Sequence, residues 1–136
     1  MPGARRKARC LALQVLYEVD LTGHDPDHTL EALLADEALP SEAVQYARDL
    51  VHGVLDARQR IDSVIAQTAP AWPVPQIAAV DRNVLRLAIF EILVNNQVPV
   101  RAAINEAVEL AKRFGSDNSA RFVNGVLASV SSLAAR

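Results

Sequence analysis

The chain has 136 residues, 51% of them hydrophobic and 22% charged, with a single cysteine and a formal net charge of −2. That is enough for one domain with a real core, and it excludes mostly disordered, collagen-like and low-complexity classes. Cys10 has no second thiol to pair with, and the longest uncharged run, residues 63–80, is broken by three prolines, which excludes a membrane span.

In chain order, the apolar residues recur at helical spacing. Ala8, Ala12, Val15 and Val19 draw one stripe, predicting a first helix of about 17 residues, roughly 25 Å long. Arg9 and Glu18 interrupt this segment, so it holds no signal-peptide core, and a cytoplasmic protein is expected. Gly23 and Pro26 end the helix. A shorter helix follows near 27–37, with Leu30, Leu33 and Leu34 inward. Ser41 is placed to cap the next helix, whose buried face carries Val44, Ala47, Leu50, Val51 and Leu55. The pattern continues through Ile61, Val64 and Ile65 after a break near 57–59. Pro70, Trp72, Pro73 and Pro75 then punctuate the chain.

From Ile77 to Val94 the chain is apolar nearly all round, as a helix in the centre of a fold must be. Asn95, Asn96 and Pro99 close it. An amphipathic helix runs from Pro99 to Phe114 with Ile104, Ala107, Val108 and Ala111 inward and Gly115 at its C-terminal cap. Asp117 or Ser116 is placed to cap the last helix, which buries Phe122, Val123, Val126, Leu127 and Val130. No segment combines strand alternation with turn dipeptides. The expected fold is all-α, with six or seven helices. It forms a single domain over 1–136 with sub-bundles at 1–69 and 76–136 and a Pro-rich connection at 70–75. Gly125 lies inside the last helix, where glycine costs about 1 kcal/mol relative to alanine. Close packing of another helix is the expected reason, so a Gly125→Leu change should unfold the C-terminal half.

Charge is unevenly distributed. Residues 1–10 hold Arg5, Arg6, Lys7 and Arg9 and no acid, whereas residues 18–62 hold 11 acids against 3 bases. A basic block on an otherwise acidic chain points to nucleic acid; a solvated, frayed terminus is the bland alternative. A catalytic constellation is missing from the sequence. His24 and His28 are separated by Pro26, far from Cys10 and His52, so no metal site is expected. The five glycines are isolated and form no phosphate loop. Cys10 reads as a small buried thiol. Binding chemistry is better represented. Lys112, Arg113 and Arg121 flank the turn from Phe114 to Ser119, which combines cations, aromatics, amides and hydroxyls, the groups that grip single-stranded RNA. Two residues in and beside the turn have structural readings as well: Asp117 as a helix cap, and Phe122 on a core stripe with Val126 and Val130.

Four stretches carry a resemblance over nearly the whole chain. They are Ala4-Arg5-Arg6-Lys7-Ala8-Arg9 with Ala12, Gln14, Leu16 and Tyr17; Val80 to Arg86; Val98-Pro99 followed by Ala103 to Gly115; and Phe122 to Leu127. Together they resemble the NusB transcription antitermination family. The resemblance implies two packed three-helix sub-bundles with an extra helix, no enzyme activity and no cofactor. It also implies pairing with NusE, a small-subunit ribosomal protein. The pair binds single-stranded boxA RNA and nucleates an RNA polymerase antitermination complex, notably on ribosomal RNA operons. By position, Arg5, Arg6, Lys7 and Arg9 match the family's arginine-rich RNA segment. Lys112, Arg113, Asn118, Arg121 and Phe122 match its second RNA-contacting region. Tyr17, Asp81 and Arg82 fall on the NusE-docking surface. Asn118 and Asp81 depart from the family's common acid and glutamate.

A related helical domain is fused to ribosomal-RNA cytosine methyltransferases, so a fragment of such an enzyme is the alternative reading. A homodimer using the central surface when NusE and RNA are absent is a third. If all four N-terminal cations contact phosphates, they should contribute a salt slope of about −3 on single-stranded RNA, at ~0.7 per contact.

Overall fold

The computed structural model describes residues 2–69 and 71–134, so Pro70 of the expected connection lies outside the described residues. Among them the fold is all-helical: α1 (Pro2–Thr22), α2 (Pro26–Leu34), α3 (Ser41–Asp56), α4 (Arg58–Thr68), α5 (Ala79–Ile89), α6 (Val100–Phe114) and α7 (Ser119–Ala134). A 3₁₀ turn at Val74–Gln76 precedes α5, and a π-helical segment at Phe90–Asn95 prolongs it.

Local chemistry sets most of the boundaries. Gly23, at φ +75°, ends α1 by donating its N–H to the Val19 carbonyl, the left-handed stop that glycine adopts without a Cβ penalty. Asp25 caps α2 by accepting from the His28 N–H at 2.9 Å, with Pro26 in the first turn. Two expected caps differ. Ser41 is the first helical residue of α3, behind Pro40, and makes no capping bond. The last helix begins at Ser119, and neither Asp117 nor Ser116 caps it through a side chain. Instead the buried Ser119 hydroxyl accepts the Ser116 N–H at 2.9 Å and fixes the turn from within. Gly115 is the C-cap residue of α6. Its φ of −95° suits any residue; what excludes a side chain is the Ser119 side chain, which a Cβ there would strike.

The α1–α3 helices pack together on one side and α5–α7 on the other, with α4 lying against α5 and α7 and α1 crossing onto α5. The α5 rod is the shared centre: every residue from Asp81 to Ile92 is buried. Its apolar members Val84, Leu85, Leu87 and Ile89 fill both halves of the core. Its charged members Asp81, Arg82, Arg86 and Glu91 are buried with them.

The close approach expected at Gly125 is elsewhere. Gly125 is exposed, and a Cβ built on it meets nothing within 4 Å. At Gly53 the tip of the Phe90 ring reaches the backbone, inside the radius a Cβ would need. The two glycines should therefore respond oppositely to alanine. Gly53→Ala is expected to cost about 1–3 kcal/mol through overpacking. Gly125→Ala is expected to gain up to ~1 kcal/mol of helix propensity. Thermal melts of both variants check this, and equal shifts would contradict it.

Candidate nucleic-acid interface

The N-terminal turns of α1 do not pack closely on α6, but long side chains tie the two helices together. The Arg6 guanidinium grips Glu106 with two bonds, Nε to Oε1 at 3.0 Å and Nη2 to Oε2 at 2.6 Å. One turn along, Arg113 Nη1 donates to the Cys10 sulfur at 3.5 Å. Two basic clusters about a hundred residues apart in sequence thus meet across one helix pair. Burial, opposed in part by Arg113, pushes the Cys10 thiol above its ordinary value, which disfavours its thiolate, and the side chain is buried in the core.

Within the N-terminal cluster the four cations have different fates. Arg5, Arg6 and Lys7 are exposed. Arg5 lies over the Tyr46 ring, 4.9 Å from its centre, and Lys7 stands 4.0 Å from Glu37. Arg9 is only 6% exposed. Its Nε and Nη2 donate to the two Glu91 oxygens at 2.8 and 3.1 Å, and Nη2 also donates to Tyr46 at 2.9 Å. The Tyr46 hydroxyl in turn donates to Glu91. Burial and that bond push the tyrosine up to about 12. For Arg9, burial is the largest single influence, but the bond to Glu91 together with the charges of Glu91, Tyr46 and Glu106 outweighs it, so the guanidinium stays charged. Grouped from sequence with the RNA-binding cations, Arg9 has its donors directed inward, and its place is structural.

The second region is more open. Lys112, Arg113, Asn118 and Arg121 are exposed, and Phe122 is half-buried against the core. Lys112 faces Glu109 at 3.6 Å, and the Arg113 guanidinium sits 5.1 Å from the centre of the Phe114 ring. Asn118 and Phe122 line a groove of about 470 Å³ with Trp72, Gln76, Ile77, Ala78 and Asp81. The groove joins residues that the sequence assigned to two different surfaces. Trp72, 55% exposed, entered the sequence reading only as chain punctuation. A large exposed aromatic in a proline-rich connection was the signal that would have found it.

The residues expected at a protein-docking surface also separate. Tyr17, 39% exposed, faces solvent on the rim of a groove of about 500 Å³ lined by Leu13, Leu21, Leu33, Val80 and Phe114. Asp81 is nearly buried, and its Oδ1 has no hydrogen-bond partner. Arg82 is turned inward: it donates to Asp20 Oδ2 at 2.9 and 2.7 Å and to the Ile77 carbonyl at 2.7 Å. Asn83 donates to the same Asp20 oxygen at 2.9 Å, and Arg86 reaches it at 3.2 Å while also binding Asp62. Burial of Asp20 is outweighed by the bonds from Arg82 and Asn83, which hold its carboxyl below the usual range. Arg82 therefore pins α5 to α1 and to the 3₁₀ turn instead of presenting itself to a partner.

Among the described residues, no three His, Cys, Asp or Glu side chains converge as a metal site requires. No helix among them is long and apolar enough to cross a membrane. The fold and its exposed chemistry define a helical module that presents cations, amides and aromatics from two clusters joined across α1 and α6.

The NusB family model matches residues 6–132, and this chain belongs to the NusB family. The Transcription antitermination protein NusB of Dehalococcoides mccartyi (strain CBDB1) is 53% identical over 131 residues, spanning 96% of this chain and 92% of that protein. T. maritima NusB superposes with a TM-score of 0.87 at 35% identity, covering 94% of this chain and 90% of that one. A NusB chain from a crystal structure of antitermination factors NusB and NusE in complex with dsRNA gives 0.89 at 28% identity, covering 98% and 99%.

Proposed function

We propose that this chain is a transcription antitermination factor that works by binding, not catalysis. It grips single-stranded boxA RNA jointly with NusE and helps RNA polymerase read through terminators, notably on ribosomal RNA operons, in the cytoplasm. The observation that carries this reading is the meeting of the two basic clusters across α1 and α6, through Arg6 with Glu106 and Cys10 with Arg113. Arg5, Arg6, Lys7, Lys112, Arg113 and Arg121 supply attraction to phosphates, and Asn118 and Phe122 meet unstacked bases. Tyr17 and the groove it borders supply the surface for NusE, with Asp81 at the edge shared with the RNA. The relatives matched over some nine-tenths of their length carry the antitermination name, which favours this reading over a methyltransferase fragment.

A titration of labelled boxA and scrambled oligonucleotides, with and without NusE, tests the proposal. Preference for boxA that strengthens with NusE supports it. Equal weak binding of both, regardless of NusE, would leave a basic surface without this function. The inward turn of Arg9 also revises the expected salt slope. Neutralising Arg5, Arg6 and Lys7 together as glutamines should flatten the slope by about 2, since three contacts at ~0.7 each are lost instead of four. A triple variant whose slope matches that of the parent would remove the cluster from the interface.

A further inference from the structure

The sequence places four cations and no acid in its first ten residues, yet the fold surrounds that cluster with carboxylates. Arg9 is matched by Glu91, Arg6 by Glu106, and Lys7 stands near Glu37. Arg5 instead lies over the Tyr46 ring. The field that random RNA meets is therefore much weaker than the charge count implies.

Glu106 differs from the buried Glu91 in accessibility and from Glu37, 4.0 Å from Lys7, in holding its cation by two hydrogen bonds. Its side chain is 20% exposed and that of Arg6 is 56% exposed, so the pair lies within reach of a ligand. It borders a cleft of about 390 Å³ that Arg5, Arg6 and Arg9 also line. Arg9 Nη1 stands 3.6 Å from Glu106 Oε1, and Arg9 is itself held by Glu91. When Arg6 swings away, Glu106 keeps a cation beside it, so the exchange does not strand a bare carboxylate. The Arg6 bond, followed by smaller contributions that include Arg9, holds the Glu106 carboxyl below its ordinary range.

We propose that Glu106 is a specificity-determining residue that acts through Arg6. As the resting counter-ion of Arg6, it withholds that guanidinium from any RNA whose phosphate is not placed to exchange with the carboxylate. A correctly seated phosphate takes over the Arg6 fork, and Glu106 falls back on Arg9. Random sequences meet a neutral pair. The inference rests on the RNA-binding reading above and gives Glu106, there only a tie between α1 and α6, a role toward the ligand.

The test is Glu106→Gln, which keeps an acceptor for both arginines and removes the charge. Binding of boxA and scrambled oligonucleotides is measured from 50 to 200 mM salt, beside a thermal melt. The scrambled oligonucleotide should bind severalfold tighter to the variant at low salt, with a smaller gain for boxA, so discrimination falls. One extra phosphate contact should steepen the scrambled-RNA salt slope by about 0.7, so the variant's advantage shrinks roughly threefold across that range. Adding Arg6→Gln should abolish the gain, which a general loosening of the helix pair would not predict. If Glu106→Gln does not fold, Glu106→Asp, which retracts the carboxylate by one methylene, should shift binding in the same direction by less. Unchanged or weaker scrambled binding with an unchanged slope in a folded variant overturns the role of Glu106 alone, provided the parent still prefers boxA. A parent that does not distinguish the two oligonucleotides overturns the RNA reading and this inference together.

Discussion

Replacing Glu91 with alanine is expected to destabilise this protein by about 3–5 kcal/mol, a fall in melting temperature of roughly 10–20 °C for a domain of this size. The carboxylate is 2% exposed, takes the Nε–Nη2 edge of the buried Arg9, and accepts from Tyr46. Removing it takes the acceptor from the Tyr46 hydroxyl and leaves the Arg9 guanidinium with only the more distant Glu106, at 3.6 Å, as counter-charge, and a buried charge stripped of its main partner is among the largest penalties a single side-chain deletion creates. The damage should come from the stranded partner more than from the lost attraction. Removing both charges together, as Glu91→Leu with Arg9→Met, should therefore recover most of the loss. Calorimetric melts of the single and double variants decide the matter. A Glu91→Ala variant that melts within a few degrees of the parent would show that the network does not anchor α1 to the centre of the fold.

The second large effect is expected at Phe122. Its ring packs partly on the core and partly lines the groove shared with Trp72, Asn118 and Asp81. Stacking of one base on an aromatic ring is worth about 1–3 kcal/mol, so Phe122→Ala should weaken boxA binding by roughly 5- to 150-fold. Alanine also removes core contact, and a melt alone would not tell the two roles apart. Phe122→Leu separates them. Leucine keeps most of the apolar volume against α7's neighbours but offers no flat face, so stability should stay near that of the parent while RNA affinity still falls. Retained affinity in Phe122→Leu would return this residue to the core and leave base reading to other groups in the groove.

The helices were readable from the chain because their causes are local. A repeat of three and four places Ala8, Ala12 and Val15 on one face, and all three are fully buried. The break near 57–59 is a single residue, Ala57, between α3 and α4. The apolar run after Ile77 is the central rod. Two local readings failed for different reasons. Ser119, the first residue of α7, settles from within the α6–α7 turn that Asp117 and Ser116 were expected to cap. Phe90, 37 residues from Gly53, makes Gly53 the close-contact glycine, while Gly125 faces open space. The second partner cannot be inferred from the spacing around the residue it controls.

The candidate site divides along the same line. Which residues are cations, where they cluster and which family motif they spell are properties of order along the chain, and these were legible in the sequence. Which cations remain available to a ligand was not. Arg9 is matched by an acid 82 residues away and Arg6 by one 100 residues away. Arg82 is directed inward by an aspartate 62 residues before it. A sequence displays charges one after another, but a guanidinium is free or occupied only relative to the carboxylates that folding brings within hydrogen-bond distance. Composition and periodicity therefore determined a helical fold with clustered cations, and the motifs placed it in the NusB family. The packing of α1 against α3 and α5, with side chains reaching α6, decided which of its arginines hold the fold and which face outward, because Coulomb and hydrogen-bond energies depend on separation in space and not along the chain.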